Sequence, residues 1–199
     1  MNLNYNSTFA ALVLGLILAS GDRLPAQGDT GLPSLPKPVI VAEQLAGKLV
    51  RLKDDSIIDY KLDPETAVDH FLFYYSGGWN PSCRKFTPAL VKFYEEQKAA
   101  GAKFEVIFVS KDDSEEEMRK YMVESKMPWP AIRFGEIEGL EFINEAAGRG
   151  VPCIAVLDSH GLIMIHSYRR KKEYLGAEKP LAEFAKMLER QAKEGEDKK

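Results

Sequence analysis

The sequence predicts an α/β fold: a central mixed β-sheet flanked by helices, with a β-hairpin extension on its N-terminal side. Three observations carry this. The runs His70–Tyr75 (HFLFYY), Phe104–Val109 (FEVIFV) and Ile154–Leu157 (IAVL) are almost uninterruptedly apolar, the pattern of strands covered on both faces. Segments of helical periodicity fall between them. After the third run a short turn leads to a further strand and then to a terminal helix, so a β-α-β unit continues into a hairpin and parallel and antiparallel strands share one sheet.

Each element has its own signal. Gln27–Pro38 (QGDTGLPSLPKP) holds three prolines and two glycines and reads as a linker. Lys48–Leu52 and Ser56–Tyr60 are short β-like runs, and Lys53-Asp54-Asp55 between them makes a hairpin turn. Asp63 and Pro64 read as the cap and first position of a short helix. Phe86, Leu90, Phe93 and Tyr94 fall on one face of a helix that contains Pro88, which removes the amide that would bond to Arg84. Ser114 to Glu117 is a capping box, and Met118, Tyr121 and Met122 form the apolar face behind it. A weaker helical pattern spans Gly139 to Ala147. Asp158 to Gly161 forms a turn into the strand Leu162–Ile165. Leu181, Phe184, Ala185 and Leu188 mark the last helix.

The chain has 199 residues, 45% apolar and 29% charged, with a net charge of −3. It is long enough for one domain with a full core, and the charge gives no case for nucleic acid. The run Arg169-Arg170-Lys171-Lys172 reads as a solvated turn. Two cysteines, Cys83 and Cys153, are too few for a disulfide scaffold or a zinc cluster. The apolar run Phe9–Ala19 is too short to span a bilayer, so no stable transmembrane span is expected. It suits the centre of a secretory signal with cleavage after Ser20 or Ala26, although Met1 to Thr8 contains no Lys or Arg. The expected organisation is a signal peptide over 1–26, a linker over 27–40, a folded domain over 41–194 and a charged tail over 195–199. The expected location is exported, periplasmic or envelope-associated.

The chemistry-bearing segment is Tyr74–Glu96, YYSGGWNPSCRKFTPALVKFYEE. A strand passes through Ser76-Gly77-Gly78 to Trp79, and a helix follows. Asn80 is a favoured N-cap and Pro81 suits the first helical position. Exposed amides and the helix dipole at such an N-terminus favour thiolate.

This segment resembles the active-site loop of the tryparedoxin and nucleoredoxin branch of the thioredoxin-like superfamily, whose usual pattern is Trp-Cys-Pro-Pro-Cys-Arg followed by Phe-Thr-Pro. The likeness continues through Phe104–Met122, Met127–Phe134 (MPWPAIRF) and Gly148–Gly161 (GRGVPCIAVLDSHG), and covers Leu45 to Leu188. It implies a thioredoxin-like fold, thiol-disulfide chemistry, a protein thiol or disulfide as partner and no cofactor. It also implies a cis Val151–Pro152 bond facing the loop, Trp79 at the flank of the site and Arg84 after the second cysteine position.

The chain departs from this pattern at the catalytic point. Asn80 matches the attacking cysteine, Ser82 the second proline and Cys83 the resolving cysteine. A dithiol cycle needs one thiolate to attack and a second thiol to resolve the mixed disulfide, and an amide cannot attack. The leading reading is a redox-accessory or binding module with little dithiol reductase activity. A monothiol oxidoreductase using Cys83, with Cys153 as a second thiol, is the rival; Cys153 itself reads first as a packed core residue. A metal site from Cys83, Cys153 and one of His70, His160 or His166 is a third reading, without local ligand spacing to support it. Trp129 reads as core, whereas Trp79 is left between packing and ligand contact.

Overall fold

The computed structural model describes residues 40–63, 68–169 and 173–196. The expected signal, most of the expected linker and Pro64 of the expected short helix lie outside them, as do residues 170–172 of the basic run. Helix α1 (Val41–Leu45) leads into the hairpin β1 (Leu49–Lys53) and β2 (Ser56–Tyr60). Its turn places Asp54 and Asp55 at φ 48° and 60°, left-handed values that Asp tolerates better than most residues. There follow β3 (His70–Ser76), α2 (Pro81–Ala99), β4 (Phe104–Ser110), α3 (Glu115–Glu124) and β5 (Ala131–Ile132). A 3₁₀ turn, Phe134–Glu136, precedes α4 (Glu141–Glu145), β6 (Cys153–Asp158) and β7 (Ile163–His166). The small pair β8 (Tyr168–Arg169) and β9 (Glu173–Tyr174) comes before α5 (Glu178–Glu196).

Seven strands form one sheet in the order β2-β1-β5-β4-β3-β6-β7. Strand β3 is central, parallel to β4 and antiparallel to β6. The sheet is therefore mixed, and the hairpin is part of it, because β1 pairs with β5. Alternation along the strands sorts the core into two layers. Leu72, Tyr74, Val106, Phe108, Ile154 and Val156 meet α2, α3 and α5 on one face. Phe71, Phe73, Tyr75, Val109, Cys153 and Ala155 meet α1 and α4 on the other. Trp129 is fully buried, edge-on to Tyr74 and Tyr94.

Three differences from the sequence expectation have local causes. The helix read over 139–147 is confined to Glu141–Glu145, because Gly139 lies in a turn, Leu140 is the non-helical N-cap and the chain leaves the helix in a turn at Ala146. Strand β5 is two residues long, and β8 and β9 likewise, too short to give a period. Helix α1 is one turn held by tertiary contact: Val41 and Leu45 are buried and the Val41 N–H donates to Ser159 O at 3.0 Å.

Candidate functional site

The register of the sheet assembles the site. Tyr75 at the end of β3 faces Cys153 at the start of β6, so the peptide just before β6 lies beside the loop that leaves β3. That peptide, Val151–Pro152, is cis. Ser76 pairs with Ser110 at the end of β4, and the Lys111 N–H donates to Ser76 O at 2.8 Å. Residues 77–83, 110–112 and 148–152 thus converge at one end of the sheet.

Asn80 ends the loop as the cap of α2. Its φ of −93° and ψ of 119° are extended, and its Oδ1 accepts from Ser82 N at 2.8 Å and Cys83 N at 3.3 Å. Pro81 follows at the first helical position, where its missing N–H costs nothing. Pro81, Ser82 and Arg84 are exposed, but Cys83 is 0% exposed. Burial pushes the Cys83 thiol above its ordinary range; the Ser76 hydroxyl and the Gly77 amide oppose this and the Asp112 carboxylate adds to it. The dipole of α2 favours thiolate, yet desolvation is the larger effect here.

Two residues at the loop act as fasteners. Arg84 Nε donates to Gly78 O, its Nη1 meets Glu124 at 2.8 Å, and the guanidinium lies 5.7 Å from the Tyr121 ring centre. Asp112 is buried, accepts from Gly78 N at 2.6 Å and from the Ser110 hydroxyl at 2.8 Å, and burial raises its carboxyl pKa. Trp79 is 61% exposed, yet its indole Nε1 donates to Lys111 O at 2.8 Å. The indole is therefore fixed while most of its surface faces solvent.

Beneath Cys83 lies a ring of four buried hydroxyls. Ser76 Oγ is 2.9 Å from Tyr74 OH, which is 2.8 Å from Thr87 Oγ1. Thr87 Oγ1 is 2.6 Å from Tyr121 OH, and that hydroxyl is 3.1 Å from Ser76 Oγ. Thr87 also donates to Cys83 O at 2.8 Å. The ring ties β3, α2 and α3 together directly under the loop, and burial raises the Tyr74 pKa. Sequence reading missed Ser76, Thr87, Asp112 and the hydroxyl of Tyr121, since each looks like an ordinary strand, helix or turn residue. It also missed Tyr174, whose hydroxyl donates to Pro152 O at 2.6 Å from β9.

Cys153 is not brought to Cys83. It shares the face of Tyr75, whereas Cys83 shares that of Tyr74; both thiols are free and buried. Burial pushes the Cys153 thiol up to about 11. Among the described residues no group of three or more His, Cys, Asp or Glu side chains is placed to hold a metal ion. His166 is engaged through both nitrogens, with Ala146 O at 2.8 Å and Tyr168 N at 2.9 Å. His70 is buried at the start of β3, and His160 lies in the turn after β6.

Residues 69–163 match the family described as thioredoxin-like. A solved thioredoxin from Wuchereria bancrofti is 31% identical, with a TM-score of 0.50 over 70% of this chain and 94% of that one. The chain belongs to the thioredoxin-like family. A tryparedoxin II solved in complex with glutathionylspermidine is 30% identical, with a TM-score of 0.50 over 61% of this chain and 83% of that one. Nucleoredoxin from Bos taurus is 36% identical over 135 residues, 67% of this chain and 29% of the relative. The chain thus spans under a third of that relative's length. It is a thioredoxin-like redox protein related to nucleoredoxins and tryparedoxins.

The same relatives overturn the export expectation. Nucleoredoxins are generally intracellular, and the reading of 1–26 as an export signal is not supported. An eleven-residue apolar run without a basic flank satisfies only part of what a secretory signal requires. No helix among the described residues is long and apolar enough to cross a membrane.

Proposed function

We propose that this chain is a thioredoxin-like protein of thiol-disulfide type that has lost its attacking thiol. Asn80 stands at the first active-site cysteine of the family pattern, Ser82 at its second proline and Cys83 at its resolving cysteine. The domain, placed at 41–194 behind a linker over 27–40, then serves as a redox-accessory or binding module for a protein thiol or disulfide. It has little dithiol reductase activity.

One observation carries this. Asn80, half-buried at the start of α2, holds its amide committed to capping, and the nearest thiol, Cys83, is fully buried with its pKa raised. A thiol that is neither exposed nor thiolate at neutral pH is a poor nucleophile. The monothiol variant that recruits Cys153 gains nothing from the arrangement, because the sheet stands between the two sulfurs.

The test is dithiol-driven insulin reduction by wild type, Asn80→Cys, and Asn80→Cys combined with Cys83→Ser. Wild type should show no turnover above the uncatalysed rate. Asn80→Cys should gain turnover, because the new thiol lies at a helix N-terminus with Cys83 three residues away, and the double variant should lose it. Turnover by wild type that matches Asn80→Cys overturns the reading.

A further inference from the structure

We infer that the cavity between α1 and the start of β3 is a binding site for an uncharged, single-chain apolar molecule that ends in a hydroxyl, a medium-chain alcohol being the simplest case. The site is separate from the loop and goes beyond the proposed function.

The cavity has a volume of about 730 Å³. Native interiors are close-packed and leave few voids larger than a water molecule, whereas small-molecule sites run from about 300 to 1,000 Å³. Leu45 of α1, Leu49 of β1 and Phe71 of β3, all almost fully buried, line it together with the half-buried Leu62 and Val68. Ser159, whose carbonyl accepts from the Val41 N–H, lines it from the turn after β6. The lining thus comes from several separate chain segments, which makes it concave. Leu162, Ile163 and Met164 are also apolar and exposed, but they stand on the edge strand β7 and none of them lines this cavity. Strand β3 passes the cavity at Phe71 and reaches the loop after Ser76, about 16 Å further along. No residue of the loop is part of the lining.

The charges around the cavity select against an ion. Glu43, Lys61 and Asp63 belong to the lining, carry both signs, and are all exposed. Water screens such partners, so an ionised head group gains little from them, while it loses hydration on entering apolar space. Tyr60 supplies the polar contact. It lines the cavity, packs half-buried against the same apolar cluster, and its hydroxyl makes no hydrogen bond to another described residue. Burial and the nearby Glu105 carboxylate raise its pKa, so the hydroxyl keeps its proton. The Arg51 guanidinium lies 5.1 Å from the ring centre and helps to hold the ring in place. An alcohol exchanges a hydrogen bond with Tyr60 while its chain replaces water against Leu45, Leu62 and Phe71. Contact with Leu45 also braces α1, a single turn held by tertiary contact.

The experiment titrates the full chain by calorimetry with 1-alkanols from hexanol to decanol, and with decanoate and decylammonium at neutral pH. The alcohols should bind one per chain, with affinity rising about fourfold per added methylene, and decanol should raise the unfolding midpoint. Decanoate and decylammonium should bind at least about tenfold more weakly than decanol. Ala42→Trp places a ring at an exposed lining position of α1 and should abolish binding. Tyr60→Phe should weaken decanol about two- to tenfold. Leu162→Ser with Met164→Ser on β7 should leave binding unchanged, which separates the cavity from adsorption to exposed apolar surface. If Ala42→Trp misfolds, Tyr60→Phe and the two charged ligands still decide. The inference is overturned if decanol does not bind, if either ion binds as tightly, if Tyr60→Phe or a folded Ala42→Trp keeps wild-type affinity, or if the β7 variant loses it. Insulin turnover plays no part in these readings, so failure here leaves the proposed function standing.

Discussion

Gly77 and Gly78 are neighbours with different obligations, and replacing each by alanine separates them. A Cβ on Gly77 would lie 2.5 Å from Trp79 Nε1 and 3.0 Å from its Cδ1. That ring is mostly exposed, so it can swing away. The cost is one hydrogen bond to Lys111 O, about 0.5–1.5 kcal/mol, offset by about 0.4–1 kcal/mol from the smaller conformational freedom of the unfolded chain. Gly77→Ala should therefore change stability by less than about 1 kcal/mol. A Cβ on Gly78 would lie 2.9 Å from both Cβ and Cγ of Tyr121. These atoms are next to the α3 backbone, the side chain is 1% exposed, and its hydroxyl is held in the ring with Ser76 and Thr87. Neither side can yield cheaply, and overpacking of this kind costs about 1–3 kcal/mol. After the same unfolded-state offset, Gly78→Ala should lose about 1–2 kcal/mol. That is roughly 2–8 °C in Tm for a chain of this size. Urea unfolding followed by circular dichroism gives the free energies, and tryptophan emission gives the state of Trp79. Gly77→Ala should shift the emission with stability almost intact, and Gly78→Ala should do the reverse. Equal costs, or the larger cost at Gly77, would refute the packing argument.

Other outcomes follow from the same structure. Asn80→Ala removes the acceptor for Ser82 N and Cys83 N and should cost about 0.5–2 kcal/mol in urea unfolding, with Asn80→Asp close to neutral. His70 is buried and its Nδ1 has no partner; burial lowers its pKa below 6.5, with Asp69 and Asp158 opposing. The folded state thus favours the neutral ring, so this contribution is complete above pH 6.5 and is lost as pH falls from there towards the lowered folded value. Urea midpoints should decline across that window, and His70→Phe should flatten the decline. Tyr121→Phe and Thr87→Val each break the hydroxyl ring, and a double-mutant cycle should show coupling of about 0.5–3 kcal/mol; additivity would contradict the short contact between them. Both thiols should label slowly with a neutral-pH disulfide reagent in the folded protein and rapidly in denaturant, as burial with raised pKa demands.

Much of the fold was legible because its strands are long and buried on both faces. His70–Tyr75 and Phe104–Val109 read as strands from composition alone, and Asn80-Pro81 announced the start of α2. The parts that were not legible are those whose shape is set by distant contacts. Ala131 and Ile132 form a strand only because β1 and β4 flank them, and Tyr168 pairs with Tyr174 in strands of two residues each, too short to show a period. At the site, Asn80 and Cys83 were visible because a familiar pattern stops at them. Ser76, Thr87 and Tyr121 were not, since a hydroxyl ring is assembled from three elements and leaves no spacing in the chain. The N-terminal run misled for a related reason: short apolar stretches look alike whether they address a secretory pathway or not.

The two thiols sit on opposite sides of a continuous sheet, and this turns oxidation into a gauge of folding quality. An intact molecule has no internal way to close a disulfide, since the strands between Cys83 and Cys153 would first have to separate. A monomer that migrates faster on a non-reducing gel must therefore have been closed while unfolded and trapped. Preparations can be graded by that band, and the ratio of bridged to free monomer after mild heating in air would record how often a molecule opens far enough for its two faces to meet.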